Sequence, residues 1–271
     1  LLKTALFPFH FWLPAAHASA SAPVSAALSA LVVKVGFYIL LRLWVDVFPG
    51  ISPGAANLLG VLGAVAVVWG SLQAIMQERA KMLVAYSTVA QLGYFFLALP
   101  LVAVGGVSAW GGILLMVFAH GLAKAAMFMA AGNLLAFAGH DRIRDLDRVV
   151  QRMPLTAAAL GLAGVSIMGL PPSGGFSGKW LLLQNAIQQG HWPIALIVLL
   201  GGALAAVYVF KLLEHIFTSG TPRGEPRAVA RAMEWAPLAL AFAAVLLGFF
   251  GAATLDLLAV GHPFTPGARG E

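Results

Sequence analysis

Cysteine is absent from the 271 residues, which excludes disulfides, thiolate-held iron–sulfur clusters and a thiol nucleophile within this chain. Charge is scarce as well. Asp, Glu, Lys and Arg make up 10% of the residues, against about 25% in a soluble domain. Neither GxGxxG nor GxxxxGK(S/T) follows a strand pattern, so nucleotide binding has no support. The formal net charge is +6, but the arginines gather in a few loops instead of covering a surface. A nucleic-acid partner is thereby excluded. No metal, cofactor-binding or redox site is expected in this chain.

What remains is oil-like. Hydrophobic residues make up 61% of the chain and mean hydropathy is +0.91, so the fold class is an all-α polytopic membrane protein. Apolar runs long enough to cross a bilayer fall at about 22–45, 54–76, 82–104, 109–138, 154–189, 193–217 and 235–258. That reading gives about 7 transmembrane helices plus a partial N-terminal one at 1–13. The connecting loops alternate. Arg79 and Lys81 mark 77–81, Arg142, Arg144, Arg148 and Arg152 mark 139–153, and Arg223, Arg227 and Arg231 mark 218–233. The turns near 46–53, 105–108 and 190–192 hold no Lys or Arg, so the basic loops are assigned to the cytoplasm. The alternation requires 154–189 to cross once.

Breaks are expected near 7–14, in FPFHFWLP, and near 170–176, in LPPSGGF. Proline removes a helix donor and glycine frees the backbone to turn. Backbone opened at that depth persists only where protein or a wet cavity satisfies it.

Four lysines lie in these apolar stretches: Lys3, Lys34, Lys124 and Lys179. An ammonium near the bilayer centre costs at least ~2.5–3.5 kcal/mol. One such residue can be softened by snorkelling, whereas four suggest a buried charge pathway. The apolar runs lack an evident counter-charge, and burial disfavours the charged form of an amine. Such lysines can therefore exchange protons, which fixed arginines could not do. His120 and Lys124 are spaced i, i+4 on one helix face and read as a relay pair, the blander reading being a packing histidine beside a snorkelling lysine. Lys3 and Lys179 each adjoin a break, an arrangement that transporters use for ion sites.

Ser87, Gln91 and Tyr94 fall at i, i+4, i+7 and form a polar stripe. It could line water or simply glue helices at ~0.6 kcal/mol per bond. Lys81 reads as a topology signal or a proton entry point, and His17 as a loading group at a cytoplasmic mouth. Lys211, Glu214 and His215 read as a solvated interfacial cluster. Glu78, Asp141, Asp145 and Asp147 read as loop charges.

At these residues the chain resembles the antiporter-like proton-channel subunits shared by respiratory complex I, Mrp-type Na+/H+ antiporters and membrane-bound hydrogenases. The stretches that carry the resemblance are LKTALFPFHFWLPAAHASASAPVSAALSALVVKVGFYILLRLW, RAKMLVAYSTVAQLGY, FAHGLAKAAMFMAAGNLL and MGLPPSGGFSGKW. It implies that residues 1–258 correspond to helices 7–14 of the family, with the N-terminal half missing and 259–271 a short C-terminal tail. It also implies roles. Lys3 is the central lysine of the first broken helix, Lys34 the connecting lysine, His120 and Lys124 the His/Lys pair, and Lys179 the exit lysine after the second break. Lys81 matches the basic residue that opens its helix. The glutamate that pairs with the lysine at position 3 would lie in the missing half.

The expected function is a proton-translocating membrane subunit of a complex I-like NADH:quinone oxidoreductase, with no redox chemistry in this chain. It would sit multi-pass in the cell inner (plasma) membrane beside other membrane subunits. The alternatives are the D-type subunit of a Mrp Na+/H+ antiporter or a hydrogenase-4-type subunit. A non-conducting structural subunit is the rival from another class.

Overall fold

The computed structural model describes residues 1–44, 52–103, 107–146, 149–217, 227 and 229–258. The tail at 259–271, most of the turn at 46–53, part of that at 105–108, and Asp147, Arg148 and Arg223 fall outside the described residues. Helices account for nearly all the rest, because a chain this apolar can satisfy its peptide groups in lipid only internally.

After turns over residues 1–11, helix α1 is Trp12–Ser19. Helix α2, Ala22–Arg42, contains a π turn at Leu28–Val32, where the Val33 N–H reaches back to Leu28 O. Then come α3 Pro53–Met76, α4 Ala80–Ala103 and α5 Val107–Ala138. Helices α6 Pro154–Met168 and α7 Gly174–Gln188 flank the second break. Helices α8 Trp192–Phe217, α9 Arg231–Phe249 and α10 Gly251–Leu258 complete the chain. Among the described residues 6 helices are long and apolar enough to cross a membrane: α2, α3, α4, α5, α8 and α9. The broken pair α6–α7 occupies the run read as one long crossing.

One boundary differs from the sequence reading: the run 235–258 is divided at Phe250 into α9 and α10. Lys81 lies in the first turn of α4, as expected of the basic residue that opens that helix.

The second break forms where expected and is sharp, whereas at the first expected break residues 1–11 are turns and α1 begins at Trp12. Gly169 ends α6 at φ +81, and the Ser173 hydroxyl accepts the Phe176 N–H at 3.2 Å to start α7. That is an N-cap placed four residues beyond a left-handed C-cap.

Helix α4 is the centre of the bundle. Of its most apolar window 89% is buried, against 44% for α3 and 28% for α9. It meets α3 backbone to backbone. A Cβ added at Gly63 would sit 2.6 Å from Gly93 O, and one at Gly93 would sit 2.6 Å from Gly63 O. Small residues at such a crossing let helices gain dispersion and weak polar contacts where water provides no driving force.

The three basic loops converge at one end. Ala80 N donates to Asp141 O at 2.8 Å, and Ile143 N to Glu78 O at 2.8 Å. Arg79 lies 3.9 Å from Asp141, and Arg227 N donates to Phe137 O at 2.9 Å. The described parts of the basic loops therefore lie together on one side.

Lys211 is not part of a solvated cluster as expected. Its Nζ donates to Ile75 O at 2.6 Å and Gln77 O at 2.8 Å, closing the carbonyl end of α3 as a basic C-terminal cap does.

Candidate functional site

The polar stripe of α4 is the axis of the site. Ser87, Thr88, Gln91 and Tyr94 are all buried; Lys124 and Lys179 reach them from two other helices, and Lys34 on a third is linked to them through Ser29. Lys124, on α5, is fully buried at 0% exposure. Its Nζ donates to Val84 O at 3.0 Å and also to the Ser87 hydroxyl. The relay pair expected of Lys124 and His120 takes a looser form, since Lys124 is held by α4. His120 is buried on the same helix, edge-on to Phe95 at 5.8 Å, and neither ring nitrogen has a hydrogen-bond partner. Buried polar atoms of that kind are ordinarily met by water.

Lys34 projects from α2 one residue past the π turn's closing Val33. Its Nζ donates to the Ser29 carbonyl, and π turns recur at functional positions. The Ser29 hydroxyl in turn lies 3.0 Å from the Thr88 hydroxyl, and Thr88 Oγ1 donates to Val84 O at 3.0 Å. Lys34 and Lys124 are thus joined through Ser29, Thr88 and Val84. Ser29 and Thr88 escaped the sequence reading. The one available signal was small polar residues set five before Lys34 and beside Ser87.

On the other side, Lys179 enters from α7. Its Nζ donates to Ile167 O at 2.8 Å and Met168 O at 3.3 Å, the carbonyls that the break leaves exposed. The amine also lies 4.6 Å over the Tyr94 ring, a cation–π placement. Gln91 Nε2 donates to the same Ile167 O at 3.2 Å and to Tyr208 Oη at 3.1 Å. Tyr208, fully buried on α8, is another participant that the sequence reading missed. In a run as apolar as α8 it reads as an ordinary core aromatic.

At the basic-loop end, Lys81 Nζ donates to Ala20 O and is buried. His17 is fully buried, stacks on Phe128 at 4.2 Å and has no partner for either ring nitrogen. It lies within electrostatic reach of both Lys81 and Lys124. The structure thus brings Lys81 and His17 to the Lys124 end of the site.

Lys3 is not brought in. Its side chain is exposed, its stem lying over α2, where a Cβ on Gly36 would come within 3.5 Å of Lys3 Cβ and Cγ. The expectation of a buried amine fails here because nothing among the described residues covers that face.

A buried acid does occur just outside the apolar runs. Glu234 is buried at the start of α9 and accepts from Thr156 N at 3.3 Å and Thr156 Oγ1 at 3.2 Å. Asn133 joins the cluster through Thr156 Oγ1 at 3.3 Å and Met233 O at 2.8 Å. This carboxylate ties helix ends together near the basic loops.

No group of three or more His, Cys, Asp or Glu that could hold a metal ion occurs among the described residues. Chemically, the site offers amines and hydroxyls on a buried axis.

Comparison with known proteins agrees. Residues 1–205 match the profile of the family described as NADH:quinone oxidoreductase/Mrp antiporter, TM. The chain is 38% identical over 229 residues to NADH-quinone oxidoreductase subunit N of Desulforudis audaxviator, covering 84% of this chain and 45% of that one. A chain of Thermus thermophilus respiratory complex I with bound NADH matches with TM-score 0.82 and 27% identity, over 100% of this chain and 57% of that one. A chain of the Mrp complex from Dietzia sp. shares the fold, with TM-score 0.87 at 24% identity, over 94% of this chain and 55% of that one. The chain spans about half the length of the curated relatives it matches. With its broken helix, its lysines and this match across three-quarters of its length, the chain belongs to the NADH:quinone oxidoreductase/Mrp antiporter transmembrane family.

Proposed function

We propose that this chain carries protons across the inner (plasma) membrane as part of an antiporter-like subunit of a complex I-like NADH:quinone oxidoreductase, alongside other membrane subunits. The observation that carries the reading is three lysines, Lys34, Lys124 and Lys179, buried at 5%, 0% and 7% exposure along one polar helix stripe. Each amine donates to carbonyl or hydroxyl oxygens, and these acceptors include no carboxylate. A lysine so placed can be ammonium or amine with little rearrangement of its neighbours. Protons pass along the stripe from Lys34 to Lys124, with His120 beside it, and on to Lys179, while Lys81 and His17 are the candidate loading groups at the basic-loop end. Lys3 would take part only once another segment buries it.

The D-type subunit of a Mrp antiporter, or a hydrogenase-4-type subunit, uses the same site in a different assembly, and the matched family spans the first of these. Neighbouring genes for iron–sulfur and flavin chains, or for small Mrp subunits, separate them. A structural subunit is the rival from another class. Lys124→Ala and Lys179→Ala, assayed in inverted membrane vesicles, decide between transport and scaffold. Lost proton pumping with normal assembly supports transport, and undiminished pumping supports the scaffold.

A further inference from the structure

Two buried hydroxyls occupy the junction between the pathway's lysines. Ser29 Oγ on α2 and Thr88 Oγ1 on α4 lie 3.0 Å apart, with either able to donate, and both residues are fully buried. The Ser29 carbonyl holds Lys34 Nζ. On the far side Thr88 Oγ1 and Lys124 Nζ each donate, at 3.0 Å, to the same Val84 carbonyl. We propose that the Ser29–Thr88 hydroxyl pair is the proton-transfer link between Lys34 and Lys124. The proposal rests on the lysine pathway above and names the groups that make its central step.

The chemistry is balanced. A hydroxyl donates one proton and accepts through two lone pairs, so it can take a proton on one side while releasing its own on the other. The Lys34 ammonium, held by the Ser29 carbonyl, turns to the hydroxyl of the same residue and gives up a proton to Ser29 Oγ as Ser29 passes its own to Thr88 Oγ1. Thr88 then delivers its original proton to the neutral Lys124 amine. One N–H bond breaks, one forms, and the two O–H bonds are exchanged. Lys34 ends neutral and Lys124 ends as the ammonium.

Thr88 and Lys124 share the Val84 carbonyl, so the last transfer requires the hydroxyl and the amine to turn from that oxygen toward each other. Carbonyl oxygens cannot replace this pair, since they accept but carry no proton to pass on. No titratable side chain other than the two lysines hydrogen-bonds to these four groups among the described residues. His120 is within electrostatic reach of both lysines, and Lys179 interacts with Lys124 in the same way.

The test uses the native membrane assembly in inverted vesicles. Thr88→Val keeps the shape of the side chain and removes the hydroxyl, whereas Thr88→Ser keeps the hydroxyl and trims a methyl. Ser29→Ala interrupts the pair from the other helix. Thr88→Val and Ser29→Ala are expected to slow proton pumping by about tenfold or more at unchanged levels of assembled chain, with Thr88→Ser close to wild type. Wild-type pumping by Thr88→Val, or equal loss in Thr88→Val and Thr88→Ser, overturns the link and leaves the pair a packing contact. If Thr88→Val fails to assemble, Ser29→Ala decides through the solvent deuterium isotope effect on pumping. An increase over wild type supports a slowed proton transfer, and an unchanged effect overturns it. Lys34→Ala and Lys124→Ala serve as references. Normal pumping in both would remove the lysine pathway itself, whereas their failure beside normal Thr88→Val would remove only this link.

Discussion

Lys179 and Gln91 share one acceptor. The Ile167 carbonyl, freed where α6 stops, takes Lys179 Nζ at 2.8 Å and Gln91 Nε2 at 3.2 Å. The break is therefore held by an amine and by a neutral amide that Tyr208 keeps in place. When the amine turns away, the amide still satisfies the oxygen, so Lys179 can move without stripping a buried carbonyl of every partner.

Replacing the amide exposes that dependence. Gln91→Leu leaves Tyr208 without its amide donor and the Ile167 carbonyl reliant on Lys179 alone. The expected cost is about 1–3 kcal/mol of stability, read as a lower melting temperature of the purified complex. Pumping should also fall in vesicles. Unchanged melting and pumping would show that the shared carbonyl has no consequence.

A permanent charge cannot substitute for a titrating one. Lys124→Arg keeps the positive charge on α5 but remains protonated at working pH, so it should fail to restore the pumping lost in Lys124→Ala. Pumping by the arginine variant at the wild-type rate would contradict proton exchange at this position.

The α3–α4 crossing tolerates no side chain. A methyl at Gly63 would meet Gly93 O at 2.6 Å, and backbone cannot yield as a flexible side chain does. Gly63→Ala should push the helices apart and cost about 1–3 kcal/mol, lowering thermal stability in detergent. Gly54→Ala serves as the comparison, since its nearest neighbour lies at 3.6 Å, and it should change little.

Glu234 is expected to stabilise the fold and not to conduct. Glu234→Ala removes the acceptor of Thr156 N and Thr156 Oγ1 at the start of α6. Lost caps and bonds of this kind cost about 0.5–2 kcal/mol. Melting temperature should fall while pumping per assembled complex stays near wild type. Loss of pumping without loss of stability would place this carboxylate in the pathway.

Legibility in the sequence followed the cost of the residue. Lys34, Lys124 and Lys179 stood out because an amine in oil is expensive and therefore rare. Ser29, Thr88 and Tyr208 did not, since a hydroxyl on a helix costs little and can satisfy itself locally, as Thr88 does on Val84 O. Glu234 was overlooked because its position at the end of an apolar run looked like loop. Lys3 was misjudged in the opposite direction, an apolar neighbourhood in sequence being no guarantee of a covered one in space. Lys211 looked interfacial, yet its partners are carbonyls at the end of α3, distant by 136 and 134 residues along the chain.

Composition and pattern were enough for everything that depends on solvent. A chain this apolar must hydrogen-bond its own backbone, so helices, their approximate limits, their common basic end and the sharp interruption between α6 and α7 could be read from residue order. Which oxygen each buried amine meets could not. Those partners come from α4 and from the carbonyls released at a π turn and a helix break, and they are brought within 3 Å or so by glycine crossings and by where each helix stops. Lipid sets the cost of a buried charge, whereas the packing of neighbouring helices chooses its companions.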